Sequence, residues 1–100
     1  MNLDERQILM NWNDLLKVIN DNFEGDRKAK LKNLYERFAD RMMLAPASGI
    51  EHIHNSWAGG YVDHVLRVCK CADQLYNLWK DMGADVSNYT HEELMFCALN

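Results

Sequence analysis

His54-Asn55-Ser56-Trp57-Ala58-Gly59-Gly60-Tyr61-Val62-Asp63-His64-Val65-Leu66-Arg67-Val68 joins a polar, histidine-bearing stretch to a long apolar one with helical periodicity. It holds two of the four histidines, and two of the five glycines stand side by side in it. Adjacent glycines cost a helix stability, because each gives up more backbone freedom than alanine would. At a helix start they mark a tight entry, or a place where backbone comes close to a neighbour. His64 follows about one turn later and faces the same opening.

Downstream of the glycines the spacing predicts a helix over Gly60–Met82, on the order of 33 Å long at 1.5 Å per residue. Val62, Val65, Leu66, Cys69, Ala72, Leu75, Tyr76 and Trp79 recur at three- and four-residue steps and form its expected buried face. Gly83 is the expected C-cap. Thr90 with Glu93 three residues on reads as a capping box, opening a last helix with Leu94, Met95, Cys97, Ala98 and Leu99. Its apolar run is still in progress at Asn100, which leads us to expect the N-terminal part of a longer protein.

Upstream, Ala45-Pro46-Ala47-Ser48-Gly49 breaks a helix, because proline disfavours helical geometry at Ala45 and cannot donate to the ladder. The irregular piece from Pro46 to about Ala58 carries His52, His54, Asn55 and Trp57. Before it, Ile8, Trp12, Leu15, Leu16, Ile19 and Phe23 make one helical face, predicting a helix over Leu3–Asn22 with Asn2 as N-cap and Gly25 as its end. Leu31, Leu34, Tyr35, Phe38 and Met42 predict a second helix over Arg27–Leu44, capped by Asp26. The short connection makes the two antiparallel neighbours. No segment has strand periodicity. The expected fold class is therefore all-α, with a helical hairpin over residues 1–45 and a second helical region over 46–100.

With 48% hydrophobic and 26% charged residues the chain can build a core. Its net charge of -4 argues against a broad nucleic-acid footprint, although Arg27, Lys28, Lys30 and Lys32 form a local basic cluster. That cluster reads first as a solvated helix face. Cys69, Cys71 and Cys97 are odd in number, and the Cys-x-Cys pair on a helix points two ways, so reduced thiols are expected. There is no apolar leader and no apolar run of membrane-spanning length. A cytoplasmic protein without membrane contact is the expectation.

No nucleophile elbow, P-loop, dinucleotide fingerprint or HExxH motif is present. The histidines are the only concentrated chemistry. A neutral imidazole on a helix wall, as at His64, can bind a divalent metal, yet such a residue is also commonly a satisfied boundary histidine. His54 reads equally as a loop residue bonded to backbone, His91 as a surface residue, and Trp57 as a lid on the core. Asp63, one residue before His64, points about 100° away from it on a helix.

Pro46-Ala47-Ser48, then His54-Asn55, then Gly59-Gly60-Tyr61-Val62-Asp63-His64-Val65-Leu66-Arg67-Val68 resembles the first half of an HD-domain metal-dependent phosphohydrolase. The branch most similar to it carries Pro-Ala-Ser, a His-His pair and Gly-Gly-x-x-[Asp/Glu]-His, and includes exoribonucleases and the HD domains of conjugative relaxases. The resemblance covers roughly positions 41–100 and makes 46–100 the first half of an HD-type domain. It implies that His64 is a metal ligand and that His54 acts at the substrate phosphate, contacting it or protonating the leaving group. Asn55, Gly59 and Gly60 would line the same site. Asn55 departs from the family, standing where a second histidine is usual. The family's His-Asp pair would follow Ala98-Leu99-Asn100, so one of the usual four ligands is present here. The cofactor implied is one or two divalent ions (Mg, Mn, Fe, Co or Ni), and the substrate is a nucleotide or nucleic-acid phosphate ester. These 100 residues alone are expected to be inactive, requiring a missing C-terminal segment or a homo-oligomer. The alternatives are a non-catalytic helical protein-interaction module, docking through the helices up to Leu44, and a nucleic-acid adaptor using the basic cluster.

Overall fold

The computed structural model describes residues 2–48, 55 and 57–100. Among them are five helices and no strand: α1 (Glu5–Asn22), α2 (Gly25–Arg37), α3 (Ala39–Leu44), α4 (Gly60–Asp81) and α5 (His91–Leu99). The protein is all-α, as its periodicity requires. It divides into two compact units, Met1–His64 and Val65–Asn100, with the boundary inside α4.

In the first unit, α1 starts two residues later than expected, and its cap is Asp4 rather than Asn2. The Asp4 carboxylate accepts the Gln7 N–H at 2.8 Å, satisfying a donor that the helix ladder leaves open. Ile8, Trp12, Leu15, Ile19 and Phe23 are buried, which is the predicted stripe less Leu16, which is half-buried. Burying five such side chains contributes on the order of 10 kcal/mol against leaving them in water. Gly25 does not end α1. Phe23 and Glu24 turn extended, and Gly25, at φ +59°, opens α2, where glycine adopts the left-handed region without a Cβ penalty. Asp26 consequently lies inside α2, and Glu24 holds the cap position without a side-chain bond.

The Trp12 and Tyr35 rings stack with centroids 6.4 Å apart and planes 23° off parallel. They stand about equally far from the turn at Phe23 and Glu24, so the chain doubles back as the short connection predicts. The expected single helix over Arg27–Leu44 is two, α2 and α3. Phe38 leaves helical geometry (φ −110°, ψ 17°), its ring under the Arg37 guanidinium at 5.5 Å. Leu31 and Tyr35 are buried, while Leu34 and Phe38, expected in the same face, are exposed. Ala45 then adopts an extended conformation ahead of Pro46 and stops α3.

α4 ends one residue short of the expected Met82. Gly83, at φ +87°, closes it: the Gly83 N–H donates to Lys80 and the Ala84 N–H to Trp79, so two terminal carbonyls are satisfied. In the second unit Val65 and Cys69 are buried, but Leu75 and Trp79 are exposed, contrary to the face predicted for this helix. The capping box of α5 is present in both directions, Thr90 Oγ1 accepting the Glu93 N–H and Glu93 Oε1 accepting the Thr90 N–H, each at 3.0 Å. Met95 and Leu99 are its buried residues. Among the described residues no helix is long and apolar enough to cross a membrane.

Candidate functional site

The junction between α3 and α4 is held by backbone hydrogen bonds. Leu44 and Ala45, at the end of α3, offer their carbonyls to the N–H groups of Gly59 (3.1 Å) and Tyr61 (2.9 Å), and Trp57 offers its carbonyl to Gly60 (2.9 Å). These bonds engage N–H groups that would otherwise be open at the start of α4. The Ala47 N–H donates to the Asn55 carbonyl at 2.9 Å, tying the Pro-Ala-Ser segment to the same point.

Asn55 organises the junction. It is fully buried and sits at φ +53°, a conformation asparagine tolerates better than most non-glycine residues. Its Nδ2 donates to the Gly60 carbonyl at 3.0 Å and to the Asp63 carboxylate at 2.9 Å. Both partners are acceptors, which fixes the orientation of the amide. Asp63 is thus directed at Asn55.

The two glycines have different neighbours. A Cβ on Gly60 would lie 2.1 Å from the Asn55 carbonyl oxygen, so no side chain fits without moving backbone. Gly59, at φ +81°, faces α1: a Cβ there would lie 2.7 Å from Ile8 Cγ1. The close approach read from the Gly-Gly pair is real, and what approaches is the protein's own chain.

His64 lies in the first turns of α4 and is half-buried. His54, the candidate catalytic residue, lies outside the described residues, as does His52. Two buried polar atoms at the junction, Asn55 Oδ1 and Trp57 Nε1, have no hydrogen-bond partner among the described residues. Trp57 therefore brings a polar atom to the junction as well as the apolar lid expected of it. Each such atom costs about 1–3 kcal/mol unless a further group satisfies it. One is an acceptor and the other a donor. Among the described residues no three His, Cys, Asp or Glu side chains come together as a metal-holding group. The described residues therefore do not by themselves fit a metal centre, and His64 would need donors from outside them.

His91, read from the sequence as a surface residue, meets Asp73 in the second unit. His91 Nε2 is 2.6 Å from Asp73 Oδ1, and its ring meets Tyr76 edge-on at 5.0 Å, with Tyr76 in turn edge-on to Tyr89 at 6.0 Å. Asp73 and His91 are 18 residues apart, so no local motif announces them. Of the thiols, Cys69 is buried and pushed up to about 11 by that burial, whereas Cys71 and Cys97 are exposed. Comparison of the chain with family models, with curated proteins and with solved structures finds no match.

Proposed function

We propose that this chain supplies the opening half of an HD-type metal-dependent phosphohydrolase acting on a phosphate ester of a nucleotide or nucleic acid. The observation that carries the reading is the α3–α4 junction. A buried amide fixes its geometry, and it leaves one buried donor, Trp57 Nε1, and one buried acceptor, Asn55 Oδ1, without partners among the described residues. His64 stands at the same helix start. A site of that composition suits a polar, hydrogen-bonding ligand better than an apolar one.

On this reading His64 binds a divalent ion, with its further donors from residues other than these hundred. Such an ion, when bound, supplies Lewis acidity and lowers the pKa of its water. His54 contacts the substrate phosphate, and Asn55, Gly59 and Gly60 shape the wall around it. Elemental analysis and Mn2+ titration of the full-length protein and of its His64→Ala variant test this directly, with phosphodiester hydrolysis as a second readout. Stoichiometric metal that disappears in His64→Ala supports the reading. Equal metal content and equal hydrolysis in two folded proteins sink it.

A second reading, a non-catalytic interaction module, is favoured by Leu9, Met10 and Leu34, all exposed in the first unit. A folded chain that takes up no metal and co-elutes with a partner through that unit would favour it.

A further inference from the structure

We infer that α4 carries a self-pairing seam and that the protein forms an antiparallel dimer through it. The seam is Val68, Cys71, Leu75, Leu78 and Met82, which alternate at three- and four-residue steps along one line of the helix and its C-cap. This is the spacing of a coiled-coil core, and most of that line is open: Leu75, which also borders a cleft with Tyr89 and Leu94, is 47% exposed, Leu78 51% and Met82 76%. Cys71 is exposed and Val68 half-buried. All five belong to the second unit. Apolar side chains concentrated in such a line on the surface mark an interaction site.

The seam's flanks say what covers it. One rim carries Arg67, Gln74 and Asp81, seven residues apart and all exposed. In an antiparallel pair each rim meets its own copy reversed. Arg67 then faces Asp81 of the second copy, Gln74 faces Gln74, and Asp81 faces Arg67, so both charged pairs are opposite in sign. The core registers at the same time: Val68 packs on Leu78, and Cys71 on Leu75, on both sides of a twofold axis passing between Cys71 and Leu75. The other rim carries Ala72 and Trp79. A small side chain nearest the axis allows the helices to approach closely. A parallel pair would set Arg67 against Ala72 and Gln74 against Trp79 of the second copy and lose both charge pairs. The pattern is self-complementary in one direction only, as an isologous interface requires.

From Arg67 to Met82 the seam is about 24 Å long. That is short for a protein interface, so the dimer is concentration-dependent rather than obligate. Sedimentation of the 100-residue chain from about 1 µM to about 1 mM should show a monomer–dimer equilibrium within that range. Leu78→Glu, at an exposed position and so without cost to the fold, should weaken it about tenfold or more by placing charge in the seam. Arg67→Asp and Asp81→Arg should each weaken it about three- to tenfold, and the two together should restore it. With Cys71 and Cys97 changed to serine, Gln74→Cys should cross-link to itself under oxidation and Leu78→Cys should not. A monomer throughout the range, a dimer indifferent to Leu78→Glu, or cross-linking through Leu78→Cys alone would each overturn the proposal. Circular dichroism of each variant separates lost pairing from lost folding.

Discussion

Replacing Asn55 by aspartate changes one atom's chemistry at the point where the α3–α4 junction is fixed. The amide nitrogen that donates to the Gly60 carbonyl at 3.0 Å and to Asp63 at 2.9 Å becomes an oxygen facing two acceptors. Two hydrogen bonds are lost, each worth about 1 kcal/mol net and more when the donor's partner is charged. A carboxylate buried next to another carboxylate adds a like-charge cost. The sum is about 3–5 kcal/mol at neutral pH, against a domain stability of about 5–15 kcal/mol. At about 4–8 °C per kcal/mol for a chain of this size, the melting temperature should fall by at least about 12 °C. The deficit has a pH signature. Burial and the neighbouring Asp63 raise the new carboxyl's pKa in the folded state above its unfolded value of about 3.9. A raised acid favours the folded state while protonated, so the penalty is small at about pH 4 and grows as pH climbs through the folded value. Asn55→Gly is the control: it keeps φ +53° without strain and removes the buried side chain with its hydrogen bonds but adds no charge, costing about 2–3 kcal/mol or more with little pH dependence. Thermal melts of the three proteins between pH 4 and pH 8 decide the matter. An Asn55→Asp protein as stable as wild type at pH 7, or one whose deficit does not shrink on acidification, would refute this account of the junction.

Gly60→Ala should destabilise by about 3 kcal/mol or more in denaturant titration, because its Cβ would meet backbone at 2.1 Å. Gly25→Ala, with nothing within 4 Å but φ +59°, should cost only about 1–2 kcal/mol. Trp12→Ala, which removes a buried ring stacked on Tyr35, should cost about 3–5 kcal/mol by the same assay. Thr90→Ala should lower stability by about 1 kcal/mol through loss of the capping box. Maleimide should label Cys71 and Cys97 quickly at neutral pH and Cys69 only on unfolding. With a folded thiol at about 11 against an ordinary 9.0, the contribution of Cys69 to stability is present below pH 9 and lost as pH rises from 9 to 11.

The features legible in the sequence are those set by chemistry within a few residues. The α1 stripe, the Pro46 break, the Gly83 stop and the Thr90 capping box each depend on neighbours no more than about one turn away. Periodicity failed where it was asked which of two faces an apolar residue serves. Leu34 and Phe38 keep step with Leu31 and Tyr35, but the kink at Phe38, which no proline or glycine announces, turns them outward. On α4 the eye follows Val62, Val65, Cys69, Ala72 and Tyr76 and extends that face to Leu75 and Trp79. The line from half-buried Val68 through exposed Cys71, Leu75, Leu78 and Met82 runs beside it, and its strict three-four step was available in the sequence to separate the two. The junction was half visible. Gly59 and Gly60 declared a close approach, but not that the approaching group is the Asn55 carbonyl, five residues back. Asn55, where the resemblance to HD-type proteins would lead one to expect a second histidine, is the residue held at positive φ and bonded to the helix it precedes. That coincidence carries a consequence for the proposed site. A histidine at position 55 would lose the amide's bridge to the Gly60 carbonyl and the Asp63 carboxylate, so the junction as built calls for asparagine there. On the HD-type reading proposed above, the phosphate contact falls to His54, while Asn55 is held by its bonds to Gly60 and Asp63.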